Sequence, residues 1–382
     1  VRLYNLNRLA VVRQLQYSKK NSNEIDLAIF VNGLPVVTIE LKNTLTGQKH
    51  HEAIKQYITS RPIDGEKLLE FKRCLVHFAV GTEEVYMTTR LAGEKTRFFP
   101  FNKCYQNKGV ESRSGYRTSY LWEDVLRRDS LLDLLQNYIE VQVNEEKVYN
   151  EKTGKLETKT EEALIFPRFH QRRAVQKLVA HSKQNGAGHR YLIQHSAGSG
   201  KSNTISWLAF RLSSLYQKMY EGSDKAVFDS VIVVTDRRAL DKQLGDNIAQ
   251  FAQTEGEVVL INDNKTSQDL KKAIEGKKKI IVTTLQKFPV IADSIQLFPD
   301  RRYAVIIDEA HSSQSGEDAR QMRKALSLEE AERFDEAEEQ EYDREEMLNA
   351  HIEAEIKRKG MKGNVSFYAF TATPKDKTIE LF

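Results

Sequence analysis

The 382-residue sequence predicts two α/β domains in tandem, the first with a mixed sheet and the second with a parallel sheet. In the first part, strand-like runs pair across a tight-turn signal and are mixed with a few helical segments. In the second part, short apolar strands alternate with helices, a pattern typical of a parallel sheet covered on both faces. The length also exceeds what one ordinary core supports.

The first domain begins with apolar residues at three-residue steps, from Leu3 to Leu15, which predict an amphipathic helix over 1–16. Strand-like runs at 25–31 and 34–42 flank Asn32-Gly33, a strong hairpin signal. The other expected elements of this domain are a helix around 51–59, strands at 74–80, 85–89 and 97–101, and a helix over 121–138.

A segment rich in Glu, Lys and Thr, residues 145–162, has almost no apolar periodicity. We expect it to be a linker or a solvated insertion. It separates a first domain at 1–144 from a second domain at 163–382. The strands expected in the second domain lie at 191–194, 230–235, 279–283, 303–308 and 366–371.

The composition, with 40% hydrophobic and 29% charged residues, is that of a globular protein. No apolar run approaches the roughly 20 residues that a membrane span needs. Two cysteines provide neither a disulfide framework nor a four-ligand zinc site, so the cytoplasm is the expected location. An acidic run at 329–346 leaves the rest of the chain more basic than its net charge of +4, which suits a polyanionic partner.

The segment HSAGSGKS follows an apolar strand and precedes a helix, which is the setting of a phosphate-binding P-loop. Backbone N–H groups around Gly198 and Gly200 can wrap phosphates. Lys201 can reach the outer phosphates, and the Ser202 hydroxyl can hold Mg²⁺. The general pattern has Gly where His195 stands, and the competing interpretation is a glycine turn that caps a helix.

A second apolar strand runs into acidic residues in VIIDEAH. Asp308 and Glu309 therefore lie at the carboxyl edge of the sheet, where open α/β sheets bind ligands. Asp308 is the expected holder of Mg²⁺. Glu309 is the candidate base that orients the water attacking a γ-phosphate, and the alternative is a pair of solvated acids at a strand end.

These two segments, with VIVVTDRRALDKQL, IIVTTLQKF and FTATP, resemble in order the motifs of superfamily 2 helicases and translocases. The resemblance implies a RecA-like lobe that binds ATP. It also implies that His311, Thr371 and Thr373 couple the nucleotide site to DNA movement. Arg237 and Arg238 stand where this family contacts the DNA backbone.

The stretch FPRFHQRRAV resembles the adenine-reading element that precedes the P-loop in this family, with Gln171 as the reader. A side-chain amide can pair bidentately with adenine N6 and N7. The sequence begins with Val and stops at Phe382 before any second RecA-like lobe. We therefore expect the true start and the second lobe to be absent from this chain, and ATP hydrolysis by this portion alone to be slow.

The first domain contains EIDLAIFVNGLPVVTIELK, in which Asp26, Glu40 and Lys42 are candidates for nuclease chemistry. Glu40 and Lys42 share a strand face, because residues i and i+2 point the same way. Two carboxylates can hold Mg²⁺ through hard oxygen ligands, and Lys42 can position and polarise the attacking water. The competing interpretation is a solvated face of an edge strand.

The hairpin sets a condition on this site. A strict two-residue turn at Asn32-Gly33 would pair Asp26 with Ile39 and place Asp26 on the face opposite Glu40. A three-residue loop, with a bulge at Gly33 or its neighbour, pairs Asp26 with Glu40 instead. A nuclease function therefore requires a bulged turn.

The Asp…Glu-x-Lys pattern is similar to that of restriction-endonuclease-like nucleases, and its place before the helicase motifs resembles the restriction subunit of type I restriction-modification enzymes. The implied fold is a restriction-endonuclease-like mixed α/β domain followed by a RecA-like parallel-sheet helicase lobe. The resemblance implies ATP-driven translocation on duplex DNA, Mg²⁺-dependent cutting, and methyltransferase and specificity subunits as partners.

That family carries Gln and Tyr, with three residues between them, on the helix after the nuclease strands. Here Gln56 and Tyr57 are adjacent. They are the candidates for a DNA-backbone contact, and the alternative is a partly exposed helix pair.

Two other functions stay open at this point. A type III restriction or repair nuclease-helicase would share both motif sets, with the nuclease motif downstream. A nucleotide-gated DNA-binding scaffold would carry inert Asp26, Glu40 and Lys42. Plasmid cleavage with Mg²⁺, compared between the chain and Glu40→Ala, separates a catalyst from a scaffold.

Overall fold

The computed structural model divides into two compact units, Val1–Arg172 and Arg173–Phe382. It describes residues 2–103, 107, 115–150, 155–196, 198–218, 224–235, 244–245, 248–249, 256–261, 265–284, 287–308 and 363–372. Among these residues, no helix combines the length and the apolar character needed to cross a membrane.

The secondary structure of the described residues is mixed α/β in both units. Its helices are α1 Arg2–Leu6, α2 His50–Lys55, α3 Arg128–Asn137, α4 Phe169–Asn185, α5 Lys201–Ser213, α6 Ser267–Glu275 and α7 Phe288–Leu297, with a 3-10 turn at Thr44–Thr46 and π-helices at Gln56–Ser60 and Leu121–Val125. Its strands are β1 Leu9–Gln16, β2 Glu24–Val31, β3 Leu34–Leu41, β4 Val76–Val80, β5 Val85–Thr88, β6 Phe99–Pro100, β7 Glu140–Asn150, β8 Lys155–Ile165, β9 Arg190–Gln194, β10 Tyr216–Lys218, β11 Asp224–Ala226, β12 Ser230–Thr235, β13 Val258–Ile261, β14 Ile280–Thr284, β15 Tyr303–Asp308 and β16 Val365–Thr371.

The first unit contains a six-stranded sheet in the order β1-β2-β3-β4-β5-β6. β3 and β4 run parallel, and the other neighbours are antiparallel. The chain crosses from β3 to β4 through α2 and the π-helix that follows it. Because β3 and β4 are the central strands, their side chains are buried almost throughout, which explains their near-continuous apolar sequences. The predicted mixed α/β domain is confirmed.

The start of the chain differs from the predicted helix over 1–16. Only α1 is helical, and the residues after it form β1 on the edge of the sheet, paired with β2. The three-residue spacing reappears as the partly buried positions Leu9, Val12 and Leu15. The register with β2 is the same before and after Gln14, so this burial pattern belongs to an extended edge strand and not to a helix.

The described residues of the segment expected to be a linker, 145–150 and 155–162, lie in β7 and β8. These strands form an antiparallel hairpin of 11 residues each, in register from Glu140 opposite Ile165 to Asn150 opposite Lys155. Cross-strand backbone hydrogen bonds hold such a ribbon together without an apolar face, so hydrophobic periodicity gives no sign of it.

The second unit contains a six-stranded sheet in the order β13-β14-β12-β15-β16-β9, with every neighbouring pair parallel. The predicted parallel-sheet lobe is confirmed. The sequence analysis missed β13, a short edge strand. Apolar residues of the sheet and of α6 and α7 form one buried cluster, which includes Ile232, Val234, Ile274, Ile281, Ile291, Val305 and Ile307.

The beginning of α4 belongs to the core of the first unit. The Phe166 ring lies 6.2 Å from the Phe101 ring, and the Phe169 ring lies 6.0 Å from it. Arg172 is 2% exposed and forms an ion pair with Asp124 at 3.3 Å. These residues follow the expected domain start in sequence, yet they pack in the preceding unit.

We expect Gly188→Ala to destabilise its sheet more than Gly33→Ala destabilises the β2–β3 hairpin. Both glycines have left-handed φ angles, 100° and 82°, so each alanine carries about 1–2 kcal/mol of backbone strain. A Cβ at Gly188 would also meet the carbonyl oxygen of Gly363 at 2.8 Å, whereas nothing lies within 4 Å at Gly33. Hydrogen exchange in each region measures both losses, and equal losses would contradict this close approach.

Candidate active sites

The β2–β3 hairpin turns through two residues and then shifts its register. Asn32 and Gly33, with φ angles of 54° and 82°, connect Val31 to its partner Leu34. Further along, Phe30 pairs with Pro35 but Ile29 pairs with Val37, so Val36 is an extra residue in β3. The expected three-residue loop is therefore wrong: the turn is tight, and the bulge lies inside the strand.

The bulge has the effect on pairing that a nuclease site requires. Leu27 pairs with Ile39, which places Asp26 opposite Glu40 on the same face of the sheet. Asp26 is held there by its Oδ2, which accepts a hydrogen bond from the Leu41 backbone N–H at 2.7 Å. The structure thus brings the two predicted carboxylates together.

Glu40 is fully buried, and its carboxyl has an unusual protonation equilibrium. Burial, followed by the negative charge of Asp26, raises the pKa of Glu40 to about 7, while the neighbouring Arg61 guanidinium opposes this shift. The Asp26 carboxyl is therefore close enough to Glu40 for its charge to favour the protonated form of Glu40. A pair of carboxylates forced this close is stabilised by a proton or by a cation.

Arg61 is a site residue that the sequence analysis missed. Its Nε donates to Glu40 Oε1 at 3.0 Å, and its side chain is only 10% exposed. Glu40 Oε2 is buried without a hydrogen-bond partner. No spacing rule links Arg61 to the nuclease motif, because the two come together only when the helical crossover folds back onto β3.

The donor set fits a divalent cation. Asp26 and the unpartnered Oε2 of Glu40 are hard oxygen ligands, and Mg²⁺ commonly uses one or two carboxylates and completes its shell with water or phosphate oxygens. Among the described residues, no group of three or more His, Cys, Asp and Glu forms a larger metal cluster.

Lys42 stands just beyond the end of β3, two residues after Glu40. Its backbone N–H donates to the Val80 carbonyl at 2.8 Å, which continues the ladder with β4 by one residue. Lys42 also lines a cavity of about 640 Å³ whose walls include Leu27, Ile39 and Leu41, on the face of the sheet opposite Asp26 and Glu40. The structure therefore places all three motif residues at one end of the β2–β3 pair.

Tyr57 is not at the surface. It is 0% exposed, and its hydroxyl lies 2.9 Å from the Thr38 Oγ1. Burial raises the pKa of Tyr57 well above its ordinary value. The prediction that this residue contacts the DNA backbone is therefore wrong, since the ring is part of the core. Gln56 is half-buried at the start of the π-helix, and its DNA contact stays a prediction.

The P-loop of the second unit has the backbone that its glycines predict. Gly198 and Gly200 have left-handed φ angles of 70° and 81°, which residues other than glycine rarely adopt. Gly200 is the N-cap of α5, so Lys201 and Ser202 are the first residues of that helix. The N-terminus of a helix suits a phosphate, because its N–H groups point outward and its dipole favours negative charge.

The P-loop lysine and the acidic end of β15 are in direct contact. Lys201 Nζ lies 2.9 Å from Asp308 Oδ1, and Asp308 is 5% exposed at the end of β15. On the next strand, the Thr371 carbonyl accepts a hydrogen bond from the His195 backbone N–H at 2.9 Å. The carboxyl edge of the sheet therefore brings the predicted phosphate, Mg²⁺ and coupling residues to one place.

Two family models match this chain, each over a different part of it. Residues 170–380, more than half of the chain, match the family model described as SWI2/SNF2 ATPase. The chain belongs to the SWI2/SNF2 ATPase family. Residues 3–96 match the model described as Type I restriction enzyme R protein N terminus. The resemblance to type I restriction subunits with helicase motifs is thereby confirmed.

Curated relatives carry consistent names. The chain assigned as the type I restriction enzyme MjaVIIIP endonuclease subunit of Methanocaldococcus jannaschii is 26% identical over 330 residues, covering 81% of this chain and 29% of the relative. The SsaAORF53P endonuclease subunit of Staphylococcus saprophyticus is 25% identical, covering 81% and 30%. The HindI endonuclease subunit of Haemophilus influenzae is 26% identical, covering 81% and 28%. This SWI2/SNF2 ATPase chain spans less than a third of each relative.

A solved structure of a nuclease-deletion mutant of the Type ISP restriction-modification enzyme LlaGI is also similar to this chain. The two are 17% identical with a TM-score of 0.32, over 54% of this chain and 17% of the other. The fold assignment of the ATPase unit rests on its own parallel sheet.

The predicted role of Gln171 as an adenine reader stays a prediction. Gln171 is 4% exposed, and its Oε1 accepts a hydrogen bond from the Arg168 backbone N–H at 2.8 Å. The carboxamide thus caps the start of its own helix, α4. This bond uses one of the two lone pairs of Oε1, so it leaves the role in adenine recognition open. The other predicted residues, Glu309, His311, Thr373, Arg237 and Arg238, lie outside the described residues.

The stability of the metal-free ATPase chain is expected to depend on pH through Glu40. The folded pKa of about 7 lies above the ordinary 4.5, so Glu40 contributes stability below about pH 4.5 that is lost as the pH rises through 7. Between pH 4.5 and pH 7, Glu40→Gln should reduce the pH-dependent loss of unfolding free energy by up to about 3 kcal/mol. Denaturant titrations over the pH range measure it, with Glu24→Gln, an exposed acid on β2, as control. Parallel profiles for the two variants would contradict the shift.

Proposed function

We propose that this chain is the nuclease and first motor portion of a type I restriction subunit, which cuts duplex DNA with Mg²⁺ after ATP-driven translocation. The observation that carries the nuclease part is the close pair of Asp26 and Glu40, aligned by the bulge in β3. The names of the curated relatives as endonuclease subunits support the same function. Methyltransferase and specificity subunits are its proposed partners, and DNA its substrate.

In the nuclease unit, Asp26 and Glu40 would hold Mg²⁺ through their carboxylates. The Leu41 N–H and the Arg61 guanidinium each fix one carboxylate oxygen. The bound cation would neutralise charge on the phosphodiester and lower the pKa of water. Lys42 would orient the attacking water by donating to it. Gln56 would contact the DNA backbone.

In the motor unit, Lys201 would exchange its partner Asp308 for the outer phosphates of ATP. Asp308 and Ser202 would then be available to Mg²⁺, and the N–H groups at the start of α5 would bind phosphate oxygens. The hydrogen bond from His195 to Thr371 joins the P-loop to β16. Through this bond, a change at the nucleotide would be transmitted to that strand.

The remaining motor roles come from the superfamily 2 resemblance. Glu309 is the proposed base for the attacking water. His311 and Thr373 are proposed to couple hydrolysis to movement, and Arg237 and Arg238 to contact the DNA backbone. Gln171 is the proposed reader of the adenine base.

We expect Lys201→Ala to weaken binding of Mg²⁺-ATP by at least about tenfold, because a charge-assisted contact to phosphate contributes about 1.5–3 kcal/mol. Isothermal titration with a non-hydrolysable ATP analogue measures the affinity. Lys271→Ala, on the exposed face of α6, is the matched control. An unchanged affinity in Lys201→Ala would show that this loop does not bind phosphate.

Plasmid cleavage with Mg²⁺ tests the nuclease part. Glu40→Ala and Lys42→Ala should each lower the cleavage rate by at least about 100-fold, because each removes several kcal/mol of transition-state stabilisation. Glu24→Ala should cut like the unchanged chain. If the unchanged chain binds DNA but leaves the plasmid intact under all cation conditions, the chain is an inert scaffold and not a nuclease.

A further inference from the structure

We infer that Arg61 is a positioning residue of the nuclease site: it fixes the Glu40 carboxylate through Oε1 and leaves Oε2 for the divalent cation. This inference rests on the proposed nuclease function. It concerns a residue outside the Asp…Glu-x-Lys motif, and it follows from how the two side chains meet in the buried space beside β3.

The contact is made by one nitrogen to one oxygen. Arg61 Nε donates to Glu40 Oε1 at 3.0 Å, while Glu40 Oε2 has no hydrogen-bond partner. A guanidinium that served only to neutralise a buried carboxylate would gain by binding both oxygens in a fork. Leaving a fully buried carboxylate oxygen unpaired costs free energy, so this arrangement is stabilised when a further ligand binds Oε2.

Asp26 is held in a comparable way. Its Oδ2 accepts from the Leu41 N–H at 2.7 Å, on the strand that also carries Glu40. Each carboxylate therefore has one oxygen fixed by an N–H donor from the protein. Donors behind a metal ligand set its orientation, and their loss typically lowers metal affinity or activity by about 10–100-fold.

The backbone around Arg61 is shaped for this contact. After α2 the chain continues into a π-helix, Gln56–Ser60, and Arg61 is its C-cap residue. One extra residue in such a turn rotates the following side chain by about 100° relative to a continued α-helix. The buried hydrogen bond between Tyr57 and Thr38 fastens this turn to β3, two residues before Glu40.

Substitutions at Arg61 can show whether its role depends on the hydrogen bond that it donates to Glu40 or only on its positive charge. Glutamine places its side-chain nitrogen the same number of bonds from Cα as Arg Nε, so Arg61→Gln keeps a donor and loses the charge. Arg61→Met keeps the length and apolar stem and loses both. Arg117→Ala removes an exposed arginine, paired with Glu83 at 3.2 Å in the same unit, and is the control.

The test is Mn²⁺ binding to the 382-residue chain without DNA, measured by electron paramagnetic resonance, with circular dichroism of each variant. We expect Arg61→Met to weaken Mn²⁺ binding by about 10–100-fold, and Arg61→Gln and Arg117→Ala to bind as the unchanged chain does. If Arg61→Met is unfolded, Arg61→Gln decides: unchanged binding supports a directed donor. Equal weakening of folded Arg61→Gln and Arg61→Met, or no weakening in Arg61→Met, would overturn the inference.

Glu40→Ala distinguishes failure of this inference from failure of the proposed function. If Mn²⁺ binding is absent from the unchanged chain, or persists in Glu40→Ala, the proposed metal site is wrong, and the role of Arg61 is wrong with it. If binding depends on Glu40 but not on Arg61, the metal site stands and only the positioning role is refuted.

Discussion

The close approach of two carboxyl groups, those of Asp26 and Glu40, is the constraint on which the first unit depends. Like charges in a buried space repel, and the surrounding chain opposes this repulsion with the Leu41 N–H and the Arg61 guanidinium. The bulge in β3 aligns the two carboxyl groups, and the crossover from β3 to β4, with its π-helix, brings Arg61 to them. Much of the irregularity of this unit is thus concentrated around one pair of side chains.

The second unit reaches a similar pairing of charges with regular structure. Parallel strands end at one edge, so Lys201 after β9 and Asp308 at the end of β15 meet without a bulge. The two sites differ in the role of their positively charged side chain. The Lys201 side chain, at the start of α5, is 18% exposed, and the Arg61 side chain is 10% exposed. In the proposed function, Lys201 exchanges its carboxylate partner for phosphate, whereas Arg61 keeps its partner.

Regular elements and local motifs were readable from the sequence, because apolar alternation and glycine-rich turns are local signals. The parallel strands, the P-loop conformation and the strand-end position of Asp308 follow from such signals. Features that depend on distant partners were not readable. β1 forms because β2 needs a neighbour, Tyr57 is buried by the crossover, and Arg61 reaches Glu40 only in the folded chain. The β7–β8 ribbon lacked an apolar face, so periodicity could not reveal it.

The placement of the α4 N-terminus affects how this protein can be divided or recombined. A nuclease fragment that ended at the motif boundary would lose two core aromatic rings, Phe166 and Phe169, and would leave Asp124 without Arg172. An ATPase fragment that began there would expose the same rings to water. Exchange of nuclease and motor modules between related chains therefore preserves both folds only when the crossover point lies within α4, after its first turn.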